Sequence, residues 1–115
     1  KGRHVEVNIP LQNGENSISF EGAGNNDGHG ATVGNIVIRR RDSSQNLLVN
    51  GDFSSTFVTP GTWKFVSNGI KGWSVNLAEL GECRLYNNDW KGSQCIELDS
   101  TSNQIYTQYF VVNKC

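Results

Sequence analysis

Glu97 and Asp99 in CIELDS offer two carboxylates, the groups that general acid and base catalysis uses. Alternate positions on one strand set them about 7 Å apart and pointing the same way, away from the face that carries Ile96 and Leu98, with no opposed substrate face between them. His4 and His29 have no Ser or Cys nucleophile motif around them and no metal-ligand spacing. The chain is therefore expected not to be an enzyme. The Gly-rich run GAGNNDGHG invites comparison with a phosphate loop, but it lacks the Lys-Ser/Thr of a P-loop and opens no helix. Its Asn25, Asn26, Asp27 and His29 are suited to contacting sugar hydroxyls or a partner from a rim loop. The competing reading is a solvated loop whose glycines serve turn geometry.

Aromatic side chains supply the other chemistry, because the CH-rich face of a pyranose stacks on an aromatic ring. Trp63, Trp73, Trp90 and Tyr86 are the residues such a platform would need. Trp90 stands in the turn NNDWKG, where exposing a large ring serves a ligand or a neighbouring domain.

Three cysteines, Cys83, Cys95 and Cys115, are too few for a disulfide scaffold and lack the CxxC spacing of a zinc site. Cys83 and Cys95 flank a turn centred on Asp89, so a hairpin of that centre places them opposite each other as a disulfide. Cys115 is left to an outside partner or stays free. Direct opposition puts both cysteines on one face and Ile96 and Leu98 on the other, which requires a second packed face or a shifted register.

The elements that position these groups read as strands. Of 115 residues, 36% are hydrophobic and 18% charged, with 13 Gly and no Met, a turn-rich all-β composition suited to an extracellular, secreted or cell-surface module. Net charge is −1, and the basic run Arg39-Arg40-Arg41 is followed at once by Asp42, so no nucleic-acid partner is expected. No apolar run is long enough to span a membrane, and Lys-Gly-Arg-His does not lead into a signal peptide, so an export signal is expected outside this chain.

Residues 3–11, RHVEVNIPL, alternate Val5, Val7, Ile9 and Leu11 with polar residues and predict a strand that pairs through QNGEN with SISFEG. VGNIVIRR predicts a third strand bearing Val33, Ile36 and Ile38, and RDSSQ a polar linker. Beyond it, ECRLY, SQCIELDS and NQIYTQYFVV are strand-like, whereas NLAELGE supplies one helical turn at most.

NLLVNGDF, IKGWSV, GSQCIELDS and IYTQYF resemble, in that order, the amino-terminal half of galactose-binding-like β-sandwich domains, the jelly-roll modules of many secreted carbohydrate-binding proteins. NSISFEGAGNNDGHGATVGNIVIRR resembles the carboxy-terminal half, so the order is inverted. The resemblance implies that Trp73 is the core Trp of such domains. It also implies a structural Ca²⁺ held by an acidic residue after the Phe of NGDF and an Asp before the Asn of the last strand. Ser54 and Gly34 stand at those places, which leaves Asp52 and backbone carbonyls as the candidate metal ligands and no other cofactor.

The expected architecture is an all-β, jelly-roll or galactose-binding-like antiparallel sandwich, incomplete within this chain. Residues 1–41 would end one tandem repeat, 42–45 link, and 46–115 begin the next; a circular permutation is the alternative. Val5, Val7, Ile9, Ile18, Phe20, Val33, Ile36 and Ile38 would form one apolar face, and Leu48, Phe53, Trp73, Leu85, Ile96, Leu98, Ile105 and Phe110 another, with few core contacts between the two stretches. The function implied is a non-catalytic carbohydrate-binding or adhesion module. The alternative is a structural repeat of an extracellular filament or coat, assembled by strand complementation. Partners are a glycan or neighbouring repeats and protomers.

Overall fold

GENSISFE alternates polar and apolar residues with period two, and in the computed structural model it forms β1 (Gly14–Glu21), with Ile18 and Phe20 turned to the core. The structure describes residues 4–22, 32–67, 69–86, 93–98 and 104–113. β1 pairs antiparallel along its whole length with the last strand, Ile105–Val112, from Gly14 opposite Val112 to Glu21 opposite Ile105. That last strand buries Tyr106, Gln108, Phe110 and Val112 and exposes Ile105, Tyr109 and Val111. A Ser19–Thr107 hydroxyl contact of 2.9 Å joins the outer faces of the pair.

The second sheet has four antiparallel strands. Its members in chain order are β2 (Thr32–Gly34), β3 (Trp63–Val66), β4 (Ala78–Glu82) and β5 (Gln94–Glu97), which makes Ile105–Val112 β6. They lie side by side as β2-β5-β4-β3, with Val33, Ile96, Leu80 and Lys64 in one cross-strand row. Among the described residues there is no α-helix, only a 3₁₀ turn over Cys83–Tyr86. One apolar core lies between the sheets, with Leu80 and Ile96 from one packed with Tyr106 and Phe110 from the other. The chain is thus all-β, with the two layers of a β-sandwich.

Residues 1–41 and 46–115 are not separate in this core, contrary to expectation. β1 and β2 come from the first stretch and pair with β6 and β5 from the second. Ile36 and Ile38 join Leu48, Phe53 and Trp73 in the same cluster. The reason is local: the supposed linker only has to turn the chain. Leu47 N donates to Ile38 O at 2.7 Å, and Ser43 N donates to Arg40 O at 3.2 Å. The Arg39 guanidinium also reaches the carbonyls of Arg40, Arg41 and Ser43.

Four local expectations are corrected. Residues 4–10 form no strand, and Val5, Val7 and Ile9 are exposed. VGNIVIRR is a strand only to Gly34, because Asn35 takes the left-handed φ of 52° and turns the chain before Ile36. AELGE, not ECRLY, is the strand, and CRLY closes into the 3₁₀ turn with Leu85 exposed. Ile105 faces outward beside Glu21, not into the core.

Cys83 and Cys95 are disulfide-bonded, with Cα atoms 5.0 Å apart. The ladder is shifted from the expected hairpin, however: Cys95 stands opposite Gly81 and Gln94 opposite Glu82, so the bridge runs diagonally to the start of the 3₁₀ turn. The conflict over faces disappears because β5 is buried on both sides, Cys95 and Glu97 on one and Ile96 on the other. Gly34 lies against the bridge; a Cβ there would come 2.7 Å from Cys95 Sγ and 2.9 Å from the Gln94 carbonyl.

Tyr106 spans the core, its hydroxyl donating to the Glu97 carbonyl at 3.3 Å. Burial pushes its pKa well above the ordinary 10.0; a backbone hydrogen bond at Glu79 opposes the shift, and the Glu79 and Glu97 carboxylates add to it. The unfolded chain therefore loses this proton at a lower pH than the folded one. The stabilisation is complete below about pH 10 and declines as pH rises above it. Urea midpoints measured across that range should fall more steeply in the parent chain than in Tyr106→Phe. The variant itself should be about 1 to 2 kcal/mol less stable at neutral pH, where only the hydroxyl's hydrogen bonds are lost.

Candidate ligand-binding cleft

The loop LVNGDFSS is built from backbone conformations that most residues avoid. Asn50 and Phe53 have φ of 55° and 58°. Asn tolerates this region, whereas a bulky Phe enters it only where its surroundings over-determine it. Phe53 is fully buried, with its ring 5.5 Å from that of Trp73, and its N–H donates to the Asn50 carbonyl at 3.2 Å. Trp73 Nε1 donates to the same carbonyl at 3.0 Å.

Two glutamines brace the loop from opposite sheets. Gln94 Nε2 on β5 donates to the carbonyls of Phe53 (2.6 Å) and Thr56 (2.9 Å), and its Oε1 accepts from Val58 N. Gln108 on β6 holds Val49 through both amide atoms, accepting from its N–H at 2.7 Å and donating to its carbonyl at 2.9 Å. Each side chain replaces a missing strand neighbour, which lets an irregular segment be buried without orphaned polar groups. Gly51 sits where any Cβ would strike the Ile36 carbonyl, and Ile36 N donates to Gly51 O at 2.8 Å.

This loop borders an open cleft of about 360 Å³. Two of its polar side chains serve the fold: Asn46 bonds Ile38 N, Leu48 N and the Ile36 carbonyl, and Asn50 bonds Ser55 N and the Lys71 carbonyl. Asp52, Lys71, Asn35 and Ser55 also line the cleft. Asp52 Oδ1 accepts from Ser54 N (3.1 Å) and Ser54 Oγ (2.8 Å), which fixes the carboxylate while Oδ2 has no partner among the described residues. No ion pair joins Asp52 to Lys71 among the described residues. A carboxylate held in place by Ser54 and an exposed cationic donor thus share one polar hollow.

No known protein family, characterised protein or solved structure matches the chain. The cleft is accordingly read from its own chemistry.

That chemistry fits calcium poorly. Asp52 is the one carboxylate lining the cleft among the described residues, and the Lys71 ammonium stands at the same hollow, where Ca²⁺ would need six to eight oxygens. The two positions expected to add anionic ligands cannot do so. Ser54 is neutral and spent on Asp52, and Gly34 is filled against by the disulfide. No group of three or more His, Cys, Asp or Glu that could hold a metal occurs among the described residues.

The remaining expected site residues divide clearly. Asn25, Asn26, Asp27, His29 and Trp90 lie outside the described residues, as do Asp99 and Cys115; Tyr86 ends the 3₁₀ turn, and its side chain is also outside. Trp73 is buried between Phe20 and Phe53, so it is core and not platform. Trp63 is half exposed on β3 and meets Phe65 edge-on at 5.1 Å, an aromatic pair on the sheet margin. Asn35, Ser55 and Lys71 were missed by the sequence reading. IKGW drew attention only to its Trp, and nothing in the sequence brings Lys71 beside NGDF.

Proposed function

We propose that the chain is a non-catalytic extracellular carbohydrate-binding or adhesion module of jelly-roll type, using the cleft at Asn50–Ser55. The single observation that carries this reading is that Asp52, Lys71, Asn35 and Ser55 line one hollow of about 360 Å³. Vicinal sugar hydroxyls donate to a fixed carboxylate and accept from an ammonium, and the volume falls within the ordinary range for small-ligand sites. The Cys83–Cys95 bridge supports an oxidising compartment, and no helix among the described residues is long and apolar enough to cross a membrane.

A glycan array tests the reading. A defined sugar class should bind, and Lys71→Met should weaken it about ten-fold, the loss of one charge-assisted hydrogen bond. Absence of binding to every sugar class would sink the proposal. Lys71 is exposed, so the substitution leaves the fold intact.

A second reading, a structural repeat assembled by strand complementation, is favoured by one observation: residues 4–10 keep a strand's alternation with its apolar members in solvent. In either reading the inverted halves derive from tandem repeats or from a circular permutation. The closure of residues 36–38 onto 46–51 supports the latter.

A further inference from the structure

Val5, Val7 and Ile9 alternate with His4, Glu6 and Asn8, and the three apolar residues are 63%, 71% and 50% exposed. Natural proteins rarely leave such a stripe without a partner. A matching vacancy exists on the same chain. β1 pairs with β6 on one side, and among the described residues no strand lies along its other edge. The core is thinly covered there too, since Ile18 and Phe20 point inward yet are only partly buried.

Local bonding explains why the segment does not fold back onto its own β1. The Asn16 side chain accepts from Gln12 N at 3.1 Å and donates to the carbonyls of Gln12 (2.9 Å) and Gly14 (3.2 Å). Both backbone groups of Gln12 are thereby committed to a side chain, and Pro10 has no N–H, so the first rungs of an intrachain ladder are missing. The segment runs instead toward Arg39, whose Nη2 lies 3.7 Å from Glu6 Oε2.

We infer that residues 4–9 of one copy add as an antiparallel strand to the free edge of β1 in a second copy. The inference rests on the strand-complementation reading and names its donor and acceptor. Charge selects the register. With residue 5 opposite 20 and 7 opposite 18, Val5 and Val7 cover Phe20 and Ile18, while on the outer face His4 meets Glu21, Glu6 meets Ser19 and Asn8 meets Ser17. Sliding the donor by two residues one way would set Glu6 against Glu21, a like-charge pair, and sliding it the other way would set Arg3 in place of Val5 opposite Phe20. A second copy is the fitting occupant because each chain carries one donor and one acceptor, and reciprocal exchange about a two-fold axis uses both. Reciprocal exchange buries two donors and two edges at once, which brings the contact toward the roughly 1,200 to 2,000 Å² of a standard specific interface.

Light scattering and amide exchange on the full chain, over a concentration series, test this. The mass should rise to at least that of a dimer, and amides within residues 4–9 should exchange about ten-fold or more slowly in the assembled state. Val7→Pro, at an exposed position outside the core, should keep the monomer's melting temperature and lose both effects. Assembly that leaves residues 4–9 unprotected, or that survives Val7→Pro, would overturn the inference and leave the complementation reading standing. A monomer at every concentration would overturn both. Protection of residues 4–9 that is independent of concentration in a monomer would mark an intrachain hairpin and overturn the inference as well.

Discussion

Trp73→Ala should cost about 3 to 5 kcal/mol from lost burial alone, a large share of the roughly 5 to 15 kcal/mol that holds a domain of this size together. The side chain is buried, with ring contacts at 6.2 Å to Phe20 on β1 and 5.5 Å to Phe53 in the NGDF loop. It is thus one of the core contacts, beside the β1–β6 and β2–β5 pairings, that join the first stretch of the chain to the second. A further penalty follows, because removing Nε1 takes away one of the two donors to the Asn50 carbonyl, at 3.0 Å, and leaves only the Phe53 N–H at 3.2 Å. Asn50 and Phe53 keep their left-handed backbone only while that contact and the buried ring hold them, so the cleft should loosen together with the core. Denaturant unfolding measures the first effect, and amide exchange at residues 50–55 the second. Trp73→Phe should retain most of the packing and lose about 1 to 2 kcal/mol, mainly the hydrogen bond. An unchanged melting temperature in Trp73→Ala would place Trp73 outside the core.

Reduction of Cys83–Cys95 should lower stability by about 3 kcal/mol, since the bridge closes a loop across a sequence separation of 12. For a domain of this length that is a fall in melting temperature of roughly 10 °C. The location adds to the effect. Both cysteines are fully buried beside Gly34, where the close approach leaves no room for two separated thiols without moving β2 from β5. Non-reducing peptide mapping should recover the Cys83–Cys95 pair. Thermal melts with and without reductant then give the magnitude, and identical melting temperatures would show that the bridge contributes nothing to the fold.

Much of this was legible in the chain itself. Period-two alternation marked β6 within about two residues and β1 within about three, because a strand with one face in the core must repeat every second side chain. The spacing of Cys83 and Cys95 about a turn predicted their pairing, and the resemblance that IKGWSV carries implied a buried Trp. Alternation is silent, however, on whether a strand has a neighbour. RHVEVNIPL has as clean a pattern as SISFEG, yet only the second finds a partner within the chain, since Pro10 and the Asn16 side chain block the ladder that would join them. Burial on both faces likewise has no two-fold signature, so β4 read as a turn of helix.

The all-β class and the disulfide follow from the sequence, because each depends on local spacing and on the burial of apolar area. Tertiary structure alone decided that the two stretches share one core and that a cleft forms at Asp52 and Lys71. Both outcomes rest on side chains that bond distant backbone, Gln94 to Phe53 and Gln108 to Val49, across separations of 41 and 59 residues. A glutamine in a strand looks the same whether its amide meets water or replaces a missing neighbour, and only the folded chain brings the partner within reach.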